Sequence, residues 1–114
     1  MAITELFTGT EAVGATEWSM VNDSSSIATD TTDGVFQVFA DVSDMVAGDQ
    51  LQIRVYEKVR SADTQRIVYN AVLTGSQSEP IWVSPSLILM NGWDVTMDAL
   101  AGTITVTWSI RQVA

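Results

Sequence analysis

TITVTWSIRQV, residues 103–113, sets Ile104, Val106, Trp108 and Ile110 against Thr105, Thr107, Ser109 and Arg111 in strict alternation. Side chains of a β-strand point to opposite faces at successive positions, so this pattern is that of a half-buried antiparallel strand. The same period recurs upstream. In GVFQVFADVS (34–43), Phe36, Val38, Ala40 and Val42 share one face and Val35, Gln37 and Phe39 the other; in LQIRVYEKV (51–59), Leu51, Ile53, Val55 and Val59 oppose Gln52, Arg54, Tyr56 and Lys58. Only Glu57 interrupts the apolar face of that second segment.

After RSAD (60–63) the chain resumes as TQRIVYNAVLTG, rich in β-branched and aromatic residues, and the two runs read as a hairpin. Two registers compete. Leu51 opposite Leu73, Ile53 opposite Ala71 and Val55 opposite Tyr69 match apolar to apolar but set Lys58 against Arg66, whereas a slip of one residue pairs Glu57 with Arg66. Shorter strand segments, ITELFT (3–8), ATEWSMV (15–21), IWVS (81–84) and WDVTM (93–97), are separated by Gly, Pro, Asn or Asp. No stretch carries a helical period. About eight short strands predict an all-β protein, an antiparallel β-sandwich or jelly roll, in a single domain spanning 1–114. The polar tract NDSSSIATDTTDG (22–34) reads as a mobile surface loop.

PIWVSPSLILMNGW (80–93) does not alternate: Leu87, Ile88, Leu89 and Met90 are apolar on consecutive positions, so both faces of this strand are oily. Either the chain covers both faces itself or one of them meets a partner. Pro80 and Pro85 place the segment at a sheet edge, since neither can donate a ladder hydrogen bond. Trp82, Leu87, Leu89 and Trp93 are the candidate partner-contact residues, with core and interface both open for Trp82 and Trp93. Trp108 belongs to the clean core pattern.

The chemistry that the residues exclude is broader than what they suggest. The 114-residue chain has no histidine and no cysteine, which removes the commonest general base, the commonest metal ligand, every Ser–His or Cys–His pair, and disulfides. No nucleophile elbow or phosphate loop occurs, and no cofactor is expected. A paired-carboxylate hydrolase would need an acid on an apolar face, for which Glu57 is the best placed, but an ion pair of Glu57 with Arg66 or Lys58 near the hairpin tip outweighs that reading. Asp30 with Asp33, or Asp41, Asp44 and Asp49, supply hard oxygens for calcium without the spacing of a calcium loop, and turn-capping by Asp is the stronger account. No catalytic, cofactor or metal residues are therefore assigned.

Charge narrows the partners. The net charge is −9, and residues 1–50 hold nine acids and no base. The five bases, Arg54, Lys58, Arg60, Arg66 and Arg111, are scattered among strand residues and acids, so neither nucleic acid nor an anionic membrane is expected as a direct partner. MAITELFTG lacks the features of a signal peptide, and a protein made in the cytoplasm is expected. A charged fraction of 17%, below the roughly 25% usual for soluble proteins, favours assembly.

GVFQVFADVSDMVAGDQLQIRVYEKV, IWVSPSLILMNGWDVTM and WSIRQV together resemble the small β-rich proteins that tailed bacteriophages encode among their head genes, a resemblance covering residues 34–113. It implies a virion structural protein of the capsid decoration or cement type, made in the host cytoplasm and bound to the major capsid protein on the outer surface of the shell. It also implies a homo-oligomer, with a trimer near local threefold axes favoured and residues 1–10 as an arm reaching a neighbour. The acidic N-terminal half agrees with the outer side, because packaged DNA would repel it inside. A tail- or fibre-associated module and a carbohydrate-binding sandwich using Trp82 and Trp93 are the alternatives.

Overall fold

A computed structural model describes residues 2–113, all of them in strands, turns and loops. Nine strands, β1 (Ile3–Val13), β2 (Trp18–Ser19), β3 (Gly34–Asp41), β4 (Gln50–Glu57), β5 (Arg66–Thr74), β6 (Ile81–Val83), β7 (Leu87–Leu89), β8 (Asp94–Ala101) and β9 (Ile104–Val113), form two antiparallel sheets packed as a sandwich. Sheet A runs β1-β9-β3, with β6 and β7 both on the far side of β3; sheet B runs β2-β8-β4-β5. No helix among the described residues could cross a membrane.

The alternating segments sit as their period dictates. Ile104, Val106, Trp108 and Ile110 of β9 are buried, as are Phe36, Val38 and Ala40 of β3 with Val42 just beyond it, and Leu51, Ile53 and Val55 of β4. β8 completes the inner layer with Val95, Met97 and Ala99. Gly9, opposite Trp108 in the β1–β9 ladder, is required there: a Cβ on it would overlap the indole, 2.8 Å from Cη2. Of residues 1–10, expected as an arm, those from Ile3 onward belong to β1, which pairs with β9 from Ile3 to Val13 around a bulge at Leu6. Met1 lies outside the described residues.

Both hairpin registers occur. β4 and β5 pair as Leu51 with Leu73, Ile53 with Ala71 and Val55 with Tyr69, then a bulge inserts Val68 and the ladder continues as Tyr56 with Ile67 and Glu57 with Arg66. The extra residue keeps apolar side chains matched at the base while sparing Lys58 and Arg66 a like-charge pairing at the tip.

The loop 22–34 is pinned rather than free. Asp30 and Trp93 exchange two backbone hydrogen bonds of 2.9 and 2.8 Å, Ala28 is buried, and Gln65 Nε2 donates to the Ala28 carbonyl at 2.8 Å. A tract with one alanine and one isoleucine offers no periodicity, so hydrogen bonding to its backbone decides its position.

Residues 80–93 occupy the edge that their prolines imply. β6 pairs with the second half of β3 through Phe39–Asp41 and β7 with the first half through Gly34–Phe36, so two three-residue strands share one edge with Pro85 between them. Proline has no N–H to give the ladder, and Ser84 compensates. Its backbone N–H donates to the Val38 carbonyl at 2.9 Å, and its Oγ accepts from the Val38 N–H at 2.9 Å while donating to the Pro85 carbonyl at 2.8 Å. Ser84 is buried, so Ser84→Ala orphans an N–H away from water. We expect it to cost about 1–3 kcal/mol in urea unfolding, against less than about 0.5 kcal/mol for Ser86→Ala on the exposed side of Pro85. Equal costs would remove Ser84 from this role.

Candidate interaction surface

The four residues expected to meet a partner divide between two environments. Leu89 and Trp93 are core, at 2% and 0% exposure, while Trp82 and Leu87 are half-buried and pack against the core from the edge. For Leu89 and Trp93 the contact reading is thus overturned: strand parity turns them inward. Leu87 stands opposite Phe36 and Leu89 opposite Gly34 on the inner side of β3, whereas Ile88, opposite Val35, faces out at 81% exposure. The outward members of the 80–93 stretch are Ile81, Val83, Ile88 and Met90.

Ile88 is one end of a row. Its partner Val35 stands opposite Val113 in the β3–β9 ladder, and Val113 opposite Ile3 in the β9–β1 ladder. Directly opposed residues share a face, so Ile88, Val35, Val113 and Ile3 cross sheet A as an unbroken aliphatic line, the last three exposed at 37%, 37% and 67%. Beside it, Val83 faces Phe39, and the Arg111 guanidinium lies 3.8 Å from the Phe39 ring centroid. A shallow groove of about 570 Å³ runs on from there between Phe39, Ile81, Glu5 and Arg111. The sequence signal for this row was parity within β3 and β9; the pairing that aligns the four residues is not encoded locally.

The outer face of sheet B is of opposite character. Glu17 Oε2 accepts hydrogen bonds from Tyr56 Oη at 2.6 Å, Thr96 Oγ1 at 2.5 Å and Arg54 Nη1 at 3.1 Å. Burial pushes the Glu17 carboxyl up, but the Thr96 and Tyr56 hydroxyls and the Arg54 charge outweigh it and hold it below the usual carboxylate range. Asp98, 3.6 Å from Arg54, is raised by burial, with Glu17 adding to the rise against Arg54. This network binds the β1–β2 connection to β4 and β8, and it leaves Asp98 Oδ1 buried without a hydrogen-bond partner.

The carboxylates weighed for catalysis or metal hold the backbone. Glu57 stands across from Arg66, yet its Oε2 accepts from Met90 N at 2.6 Å and Asn91 N at 3.0 Å, fixing the crossing from β7 to β8. Asp30 caps Thr32 N, Asp41 caps Ser43 N and Asp49 accepts from Val46 N, the local Asp bonding expected of turns, whereas Asp44 accepts from the distant Thr105 N and so ties its turn to β9. No cluster of three acidic side chains suited to a metal occurs among the described residues. No family model matches the chain, and no curated protein does.

Asp94 is the titratable group that the sequence concealed. Wholly buried at the start of β8, it accepts from Ser19 Oγ and Val95 N through Oδ1, both at 2.8 Å, and from Ala28 N through Oδ2 at 2.9 Å, tying the 19–28 segment to sheet B. Burial pushes its carboxyl up to about 6 despite the three donors. The folded chain then binds this proton more tightly than the unfolded chain. Stability contributed by Asp94 is full below pH 4 and is lost as pH rises through about 6. Thermal unfolding between pH 4 and 7.5 is the check: relative to Asp94→Asn, the wild type loses up to about 3 kcal/mol across that window. Parallel profiles for the two proteins would contradict the assignment.

Proposed function

We propose that the protein is a virion structural protein of the decoration or cement type, which docks on the assembled capsid shell through the outer face of sheet A. The observation that carries the reading is the aliphatic row Ile3–Val113–Val35–Ile88, continued by Val83 and Ile81. Monomeric proteins seldom leave contiguous apolar surface in water, and a line crossing a whole sheet face points to a covering protein surface. The interior of the sandwich is complete without it, so the row is free to serve contact rather than folding. The resemblance to phage head proteins supplies the kind of partner, and the net charge of −9 favours the side of the shell away from packaged DNA.

The sugar-binding alternative is weakened, because Trp93 has no exposed ring face and Trp82 is itself half-buried against the core. A tail- or fibre-associated module would use the same apolar row, and the choice between shell and tail is an outcome of the binding test.

Purified expanded heads and purified tails, each lacking the protein, are the two probes. Burying one aliphatic side chain contributes about 1.5–3 kcal/mol, so Ile88→Asp weakens binding to heads by roughly tenfold or more while the melting temperature stays that of the wild type. Leu89→Asp, one residue along and inward, unfolds the chain. Saturable binding to tails and not to heads would move the protein to the tail, and unchanged head affinity for Ile88→Asp would remove sheet A as the contact.

A further inference from the structure

We infer that β5 is a dimerisation edge, pairing antiparallel with β5 of a second copy about a twofold axis at Asn70, so that two four-stranded B sheets become one. The sandwich has four free edges, and three of them are blunted. β2 is two residues long. β6 and β7 have three residues each and are separated by Pro85. β1 is long, but pairing it with its own copy about its midpoint, Thr8, sets Glu5 against Glu11. Short strands, prolines, bulges and charges are the devices by which soluble proteins keep sheet edges from adding strands.

β5 has few of them. RIVYNAVLT is nine residues long, has no proline, lysine or acid, and pairs on one side only, with β4. It carries a bulge at Val68, two residues from Asn70, and its ladder to β4 is regular from Tyr69 to Thr74. Its backbone groups on the far side have no strand to meet, and Ile67, Val68 and Val72 are exposed at 51%, 51% and 47%.

The sequence of β5 is complementary to itself. Centred on Asn70, an antiparallel pair sets Tyr69 against Ala71 of the second copy and Val68 against Val72, with Arg66 against Thr74. The large Tyr69 meets the small Ala71 on the inner side, where Tyr69, Ala71 and Leu73 are half-buried, and the valines meet on the outer side. No like charges oppose one another, and with Arg66 as its one charge the contact escapes the repulsion that a net −9 imposes elsewhere. A twofold pairing of one edge with itself closes at two copies. It therefore replaces, at this edge, the threefold arrangement implied by the resemblance to phage proteins, and it stands independently of what the outer face of sheet A binds.

Sedimentation velocity from micromolar to near-millimolar concentration tests it with the full chain. The expected species has twice the 12.4 kDa chain mass. Val68→Lys with Val72→Lys opposes lysines at two symmetry-related places and raises the dimer dissociation constant at least about tenfold, whereas Val68→Lys with Val72→Glu, equally polar, pairs opposite charges in this register and restores the dimer. Because the chain has no cysteine, Asn70→Cys gives an independent reading: directly opposed residues have Cα atoms about 4.5–5.5 Å apart, so mild oxidation yields a disulfide-linked dimer. A wild type that is monomeric throughout or trimeric, a dimer indifferent to the two lysines, or Asn70→Cys that stays monomeric on oxidation overturns the inference.

Discussion

Trp93 joins the two sheets. It sits at the point where the chain leaves sheet A after β7 and enters sheet B at β8, fully buried. Its ring packs on Phe36 of β3 with centroids 4.7 Å apart and meets Phe7 of β1 edge-on at 6.1 Å. Its indole N–H donates to the Thr32 carbonyl at 2.8 Å, and its backbone exchanges two hydrogen bonds with Asp30. One residue thus fixes the spacing of the layers, the position of the 22–34 segment and the entry of β8. Aromatic contacts of this geometry add to a large buried area, which is why a single ring can carry so much of the arrangement.

The chain depends on such a tie because its strands are rarely joined locally. Of the paired strands, only β4 and β5 follow each other in sequence; β1 finds β9, β2 finds β8, and β3 finds β6, β7 and β9. Ordering so many distant partners costs loop entropy before the contacts repay it. The connections are accordingly held by side chains: Glu57 fixes residues 90 and 91, Asp94 fixes Ser19 and Ala28, and Ser84 fills the ladder where Pro85 breaks it. Several acids thereby hold backbone N–H groups that no strand satisfies.

Much of the sandwich is written in alternation. The inward sets of β3, β4 and β9 follow directly from their period of two, and the hairpin sequence contains both of its registers, which the bulge at Val68 reconciles. The 80–93 stretch is harder because apolar residues on consecutive positions hide parity. The parity of its end was nonetheless legible: Trp93 falls in step with Val95, Met97 and Ala99, and out of step with Asp94, Thr96 and Asp98, which puts the tryptophan inside. Leu87 and Leu89 could not be assigned that way, because their direction depends on pairing with Phe36 and Gly34, more than fifty positions away. The alignment of the outward row on sheet A was hidden for the same reason, being made by four strands whose neighbours only the fold defines. The bonds to Asp94 and Ser84 are likewise tertiary, and no local pattern announces them.

The role of Trp93 as the tie between the sheets is tested most directly by equilibrium urea unfolding of Trp93→Ala. Removing a fully buried tryptophan costs about 3–5 kcal/mol, and because the ring serves both sheets the remaining stability is expected to be lost in one transition. A loss below about 1 kcal/mol, the range of an exposed surface substitution, would contradict the account and return Trp93 to the surface.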